Sequence, residues 1–320
     1  MKPQNIDKIL DSPAIMVGPL RSGSTMLRLM LDNHPQINFF SEFEGAVSEF
    51  DGADFPDLKK YHEFVKHERM MQDLCFDIDK TLNYVDLVQS FLRQAYNRKP
   101  AKVIGATIHN EFEHVEKLWP NARYIHITRD PRDVARSCIG MGWVGNVYAG
   151  AEYWLVPEIK WQNIVERLDS NRYICVKYEE IVCDPAKELA RICDFLGVGF
   201  SPNMLAIDKI STYSKPDPKY VEQWRKKLTT KEIIAVESRC RKYMDAAGYK
   251  TYITTNEMDP AAFIKFFYRV DNRVRRIRFN IDRYGFWVWF GYVIFKRLPF
   301  KKFRTYFSTR KNIVDRLHLK

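Results

Sequence analysis

Residues 18–25 read GPLRSGST. Gly18, Gly23 and Thr25 keep the G-x-x-x-x-G-K-[ST] spacing of a nucleoside-triphosphate loop, but Ser24 stands where that loop has lysine. Glycines let backbone N–H groups turn inward around an anion, and a following helix adds the positive end of its dipole. Ser22, Ser24 and Thr25 supply hydroxyls. The cation of the loop is Arg21, whose planar fork suits a tetrahedral oxyanion. No apolar run ending in Asp follows to hold a magnesium ion, so the loop lacks the usual apparatus for a metal-bound triphosphate. Taken alone, the same residues also read as a glycine turn with an exposed arginine.

A second cluster narrows the choice. Residues 124–137, YIHITRDPRDVARS, read as a buried strand ending at Arg129, with Ser137 eight residues later on the next helix. Together the two side chains can bracket a second phosphate; alone, Arg129 could equally pair with Asp133. Both clusters belong at the C-terminal edge of one parallel sheet, where open α/β folds bind ligands. Two phosphate-sized sites without metal apparatus point to a doubly phosphorylated nucleotide.

The pairing of R-S-G-S-T with a later R-D-x-x-x-x-x-x-S resembles the sulfotransferases that use 3'-phosphoadenosine 5'-phosphosulfate (PAPS). RSGSTMLRLMLDNHPQINFFSEF is most similar to the tyrosylprotein and carbohydrate branch and to bacterial members. Further matches are VKYEEIVCDP at residues 176–185, DFLGV at 194–198, and STYSKP at 211–216, which is one residue shorter than the family form. The resemblance covers roughly residues 13–250. It implies that Arg21, Ser22, Gly23, Ser24 and Thr25 hold the 5'-phosphosulfate, that Arg129 and Ser137 hold the 3'-phosphate, and that no metal is needed. It also implies in-line sulfuryl transfer to a hydroxyl, with Glu42 as the base and Arg21 and the loop amides stabilising the developing charge. Ser211 and Lys215 would close over the donor, and Tyr178 would contact the adenine or its phosphate.

Glu44 and Glu49 are rivals to Glu42, which on its own also reads as a solvated loop carboxylate. Many relatives carry a lysine in G-D-K-T-P where residues 105–109 here read GATIH; His109, Lys215 or Arg21 alone would have to take its place. The acceptor carries a hydroxyl and could be a small molecule, lipid, glycan or peptide. Two other functions compete: a nucleotide-dependent phosphotransferase, and a non-catalytic, membrane-associated sulfotransferase-like protein.

These groups need a frame. Residues 13–17, 102–104, 122–127 and 173–176 are short apolar runs that read as buried strands, each followed by a helical pattern. The predicted class is α/β, a P-loop-like parallel sheet with helices on both faces. The helix after the loop should stop near Pro35. Asp130 and Pro131 open one helix, Asp184 and Pro185 another that ends at Gly197. Residues 45–100 are helical in pattern and polar enough to form a lid or insertion. The expected organisation is a sulfotransferase domain over residues 1–259 and a helical basic-aromatic extension over 260–320.

The 320 residues are 46% hydrophobic and 28% charged, a globular rather than disordered balance. The net charge of +11 is local: residues 261–320 hold 16 Lys/Arg, 3 Asp/Glu and 16 aromatic residues. Such a tail could lie on an anionic membrane surface, pack on its own domain, or, least expected, bind nucleic acid. No apolar run reaches the roughly 20 residues of a membrane span. No apolar segment follows a basic start, so no secretory signal is expected. The six cysteines are scattered and read as reduced thiols. These features suggest a cytoplasmic location, with the tail able to lie on the inner membrane face. Trp143, Tyr148, Tyr153 and Trp154 form an aromatic cluster that reads either as acceptor pocket or as core.

Overall fold

The computed structural model describes residues 3–50, 52, 54–209, 216–252 and 260–318. In chain order the elements are α1 (Pro3–Asp11), β1 (Ala14–Val17), α2 (Ser24–Asp32), β2 (Ile37–Glu42), α3 (Leu58–His67), α4 (Arg69–Leu74), α5 (Tyr84–Arg98), β3 (Val103–Thr107), α6 (Val115–Leu118) and β4 (Arg123–Thr128). There follow α7 (Pro131–Gly140), α8 (Val147–Gly150), α9 (Glu152–Val165), β5 (Tyr173–Lys177), α10 (Tyr178–Cys183) and α11 (Pro185–Leu196). The chain ends with α12 (Trp224–Lys227), α13 (Thr230–Ala246), α14 (Ala262–Tyr284), α15 (Phe286–Phe295) and α16 (Lys301–His318). Two compact units result: Met1–Asp130 with Trp154–Gln223, and Pro131–Tyr153 with Trp224–Lys320.

The first unit holds the expected parallel sheet, in the order β2-β3-β1-β4-β5. Side chains alternate across a strand, and here both faces are buried. Ile15, Val17, Ile104, Ala106 and Tyr124 enter one core with α5, α6 and α9. Ala14, Met16, Val103, Ile125 and Ile127 enter the other with α2 and α11. Local signals set the helix ends. The Asp184 side chain caps α11, and Gly197 ends it with φ 74. Asn33 closes α2 two residues before Pro35.

One expectation needs revision, one strand is unexpected, and one open alternative is decided. Residues 45–100 are a layer of the fold rather than a lid, since Tyr61, Val65, Tyr84, Leu87 and Phe91 lie buried in the first core. β2 has no clear signature because Asn38 and Ser41 interrupt its apolar run. Asn38 is nonetheless buried, and its Nδ2 donates to the carbonyls of Ala95 and Lys99 at 2.9 and 2.8 Å, at the end of α5. Trp154 is also core: it is fully buried and donates to Thr128 Oγ1 at 3.2 Å.

The second unit centres on a buried ion pair. Arg132 Nη1 donates to Glu237 Oε1 at 2.6 Å, with the two side chains only 3% and 5% exposed. The guanidinium also lies 3.6 Å from the Trp224 ring centre, and the Trp224 amide donates to Asp133. α14 packs on this unit through one face. Asn272 Oδ1 accepts from the Gly145 amide at 2.6 Å, Asn146 Nδ2 donates to the Tyr268 carbonyl at 2.8 Å, and Arg283 donates to the Met141 carbonyl at 3.2 Å. A Cβ on Gly142 would meet the Phe279 ring at 2.0 Å, so this approach requires glycine. α15 and α16 pair through Phe295, Phe303 and Phe307.

Removing one member of a buried pair leaves an uncompensated charge. Glu237→Leu is expected to cost about 3–5 kcal/mol in chemical denaturation. A variant as stable as the parent would show that the pair supports little of this unit.

Candidate active site

The loop after β1 is held by contacts that exclude side chains. Gly18 has φ 131, and a Cβ there would sit 2.1 Å from the Ile127 carbonyl oxygen of β4. Gly23 has φ 90, and its Cβ would meet Tyr178 Cδ2 at 2.4 Å. Between them Arg21 takes φ 70, a left-handed conformation that strains a residue with a side chain. Gly23 also caps α2, so the amides of Ser24, Thr25 and Met26 begin that helix without intrahelical acceptors. The Ser22 hydroxyl is fully buried with no hydrogen-bond partner among the described residues. Such an orphan costs about 1–3 kcal/mol unless a ligand satisfies it.

Each strand of the parallel sheet delivers a polar group to the same edge. β4 leads to Arg129, and β5 to Tyr178. The Arg129 guanidinium lies 4.2 Å from the Tyr178 ring centre. It donates to the Tyr220 carbonyl at 2.8 Å and lies 3.5 Å from the Arg21 carbonyl. β2 ends in Glu42, paired in register with Thr107 at the end of β3. Glu42 is half-buried, and its carboxylate makes no hydrogen bond or ion pair among the described residues. The Thr107 hydroxyl is likewise buried with no hydrogen-bond partner among the described residues.

His109, two residues beyond β3, ties this side to the loop. Its Nδ1 is 2.9 Å from the Gly18 carbonyl and its Nε2 is 3.2 Å from Ser24 Oγ. A carbonyl only accepts, so Nδ1 carries the proton and Nε2 accepts from the serine hydroxyl. Burial lowers the His109 pKa, which keeps this neutral tautomer. His109 therefore orients Ser24 and brings no positive charge, which corrects the idea that it replaces a cationic lysine. Glu44 has a supporting role. Its two oxygens accept from the His109 and Asn110 amides at 2.8 and 2.7 Å. Burial, and then the nearby Glu42 charge, push its pKa up to about 7 against the opposing hydrogen bonds.

Arg21, Ser22, Gly23, Ser24, Thr25, Glu42, Arg129 and Tyr178 thus all lie at the C-terminal edge of the sheet in the first unit. Ser137 lies on α7 in the second unit. Ser211 and Lys215 lie outside the described residues. Among the described residues, no group of three His, Cys, Asp or Glu side chains could hold a metal ion. The sequence did not assign Glu44 and His109 to loop support; only the proximity of β3 to β1 does so.

A carboxyl with a raised native pKa binds its proton more tightly in the folded state. The Glu44 contribution is therefore complete below about pH 4.5 and is lost as pH rises through about 7. From about pH 5 to pH 8, wild type should lose roughly 1–3 kcal/mol relative to Glu44→Gln in parallel denaturation series. Parallel curves would show that Glu44 does not titrate in this window.

Residues 13–202 match the profile described as the Sulfotransferase family. Human carbohydrate sulfotransferase 2 is 32% identical over 98 residues, covering 27% of this chain and 18% of that protein. Protein-tyrosine sulfotransferase 2 of Gallus gallus is 24% identical over 214 residues, covering 61% of this chain and 54% of that one. The chain thus spans less than two thirds of the length of either relative. The sulfotransferase domain of the Synechococcus PCC 7002 olefin synthase shares the fold, with a TM-score of 0.55 at 21% identity over 75% of this chain and 95% of that domain. With a family match over more than half of its residues and a sheet of the same fold, the chain belongs to the sulfotransferase family.

Proposed function

We propose that the chain moves a sulfuryl group from PAPS to a hydroxyl acceptor. The observation that carries this reading is the loop itself: two glycines whose missing Cβ atoms would meet β4 and Tyr178, an arginine within the loop and a serine at the lysine's position, and a buried serine hydroxyl with no partner among the described residues. These features fit a phosphosulfate group. The amides of α2 and the hydroxyls of Ser22, Ser24 and Thr25 would bind its oxygens, and Arg129 would bind the 3'-phosphate. When bound, the donor supplies the sulfuryl group, and adenosine 3',5'-bisphosphate leaves with the electron pair of the broken S–O bond. Glu42 would take the proton of the acceptor hydroxyl as its oxygen bonds to sulfur. Arg21 and the loop amides would meet the charge growing on the leaving oxygen. His109 would hold the Ser24 hydroxyl in a fixed direction. The names of the relatives support glycan or tyrosine hydroxyls as acceptors.

Metal-free calorimetric titration with adenosine 3',5'-bisphosphate tests the donor site. Wild type should bind it, and Arg129→Ala should weaken binding about tenfold or more. Glu42→Gln should keep wild-type affinity while losing about a hundredfold or more in sulfuryl transfer to a glycan or tyrosine acceptor. Absence of binding by folded wild type would remove PAPS as donor and favour a phosphotransferase or a non-catalytic protein.

A second partner is proposed for α14. One face packs on its own unit through Tyr268, Asn272 and Phe279. The opposite stripe, at i, i+3, i+4, i+7 and i+11, is apolar and exposed: Phe263 65%, Phe266 59%, Phe267 65%, Val270 43% and Val274 60%. No helix among the described residues is long and apolar enough to cross a membrane. An apolar stripe flanked by many cations suits the interface of an anionic bilayer. Flotation with phosphatidylserine vesicles should recover wild type, and Phe263→Ser with Phe267→Ser should reduce recovery severalfold. Equal recovery of both proteins would exclude this stripe as the contact.

A further inference from the structure

α15 is a helix without a polar side. Its 10 residues, FWVWFGYVIF, carry no charge. A helix that is apolar all round is stable only where every side is covered. Here α16 covers one side. Phe295 stacks with Phe303 and Phe307 at ring-centre distances of 5.0 and 5.6 Å, and a Cβ on Gly291 would lie 2.4 Å from the Phe307 ring. Gly291 is the one residue of α15 that is buried. Phe286, Trp287, Phe290 and Val293 remain exposed, Trp287 at 75%. Phe286, Phe290 and Val293 follow the i, i+4, i+7 spacing of one stripe, with Trp287 beside it.

The stripe sits on a fixed support. The Tyr284 hydroxyl, at the end of α14, donates to Asp315 Oδ1 of α16 at 2.6 Å. Lys311 Nζ lies 2.5 Å from Asp315 Oδ2, and 5.1 and 5.5 Å from the ring centres of Tyr284 and Tyr292. These contacts tie the α15–α16 hairpin back to α14.

Two features name what covers the stripe. The first is charge. Residues 283–314 hold eight Lys/Arg and no Asp/Glu. Lys296, Arg297, Lys301, Lys302 and Arg304 gather at the turn between the two helices. A second copy seated on the stripe would bring like charges together, whereas anionic headgroups would neutralise them. The second is length. Ten residues at about 1.5 Å each span about 15 Å, half of the roughly 30 Å hydrocarbon core. An upright α15 would carry the cations at one of its ends to the middle of the bilayer, which is costly. Lying along the surface, it keeps both ends at the headgroups and its aromatic rings just below them.

We infer that α15 is the element that enters the membrane: it lies along an anionic bilayer with Phe286, Trp287, Phe290 and Val293 below the headgroups and the cations of the turn among them. The inference rests on the reading of the tail as a membrane contact. It goes beyond the α14 stripe by assigning the inserted helix and its orientation, and it does not depend on sulfuryl transfer.

Tryptophan fluorescence of the full chain tests it, because Trp287 and Trp289 lie on α15. Subtracting the emission of Trp287→Phe with Trp289→Phe from that of wild type isolates their signal. On phosphatidylserine vesicles, this signal should be quenched severalfold more by lipid brominated near the headgroup than by lipid brominated at the chain ends, and aqueous iodide should lose access to it. Vesicles of phosphatidylcholine alone should recover severalfold less wild type in flotation. Trp287→Asp with Val293→Asp should reduce flotation about tenfold or more and leave binding of adenosine 3',5'-bisphosphate unchanged. Suppose wild type floats, but its α15 signal is unquenched or is quenched best from the chain ends, or the Asp substitutions leave flotation intact. Each of these results would overturn the inference and leave the membrane contact of the tail standing. Wild type that fails to float would remove both. A dimer in sedimentation that the Asp substitutions dissociate would assign the stripe to a second copy and overturn the inference as well.

Discussion

Gly18 has no room for a methyl group: a Cβ there would lie 2.1 Å from the Ile127 carbonyl. That contact sets how closely the loop after β1 can follow the neighbouring strand, and the rest of the candidate site follows from it. Because Gly18 turns where it does, its carbonyl meets the His109 imidazole, and the imidazole reaches Ser24. Because Gly23 lies against Tyr178, α2 begins there and directs its open amides into the loop. The strained Arg21 and the buried Ser22 hydroxyl are conformational costs concentrated in a few residues, as expected where a structure is organised around a ligand.

The parallel sheet makes this concentration possible. With all five strands pointing the same way, every strand end reaches one edge, and each brings a different chemical group. The two cores on either side of the sheet hold those ends in register. A polar network lies behind the edge as well: Glu158 accepts from Thr128 at 2.6 Å and lies 3.2 Å from His126. Burial opposes charge on His126, but the Glu158 carboxylate outweighs it and pushes the pKa up to about 9. The network is not fully satisfied, since His126 Nδ1 is buried with no hydrogen-bond partner among the described residues.

The second unit follows a different logic. Its interior depends on one buried ion pair and on glycines that let α14 approach closely. The basic and aromatic residues of α14 face two ways. Some aromatic residues pack inward and line a cleft with cations, while others form an exposed stripe on the opposite face. Composition alone cannot separate these roles, because it does not say which side of the helix finds a neighbour.

The sequence alone determined what is local. The glycine spacing of residues 18–25, the Asp-Pro helix starts, the apolar runs of four strands and the charge of the last 60 residues are legible from types and intervals. Turn geometry, capping and periodicity act over a few residues, so the chain displays them directly. β2 was not legible, because its buried Asn38 depends on carbonyls more than 50 residues away. Nor were the roles of His109 and Glu44, since a neutral, loop-holding histidine exists only where β3 lies beside β1. Trp154 separated from its aromatic neighbours for the same reason: its hydroxyl partner is on β4. Tertiary structure decided these points because burial and hydrogen-bond partners are properties of neighbours in space.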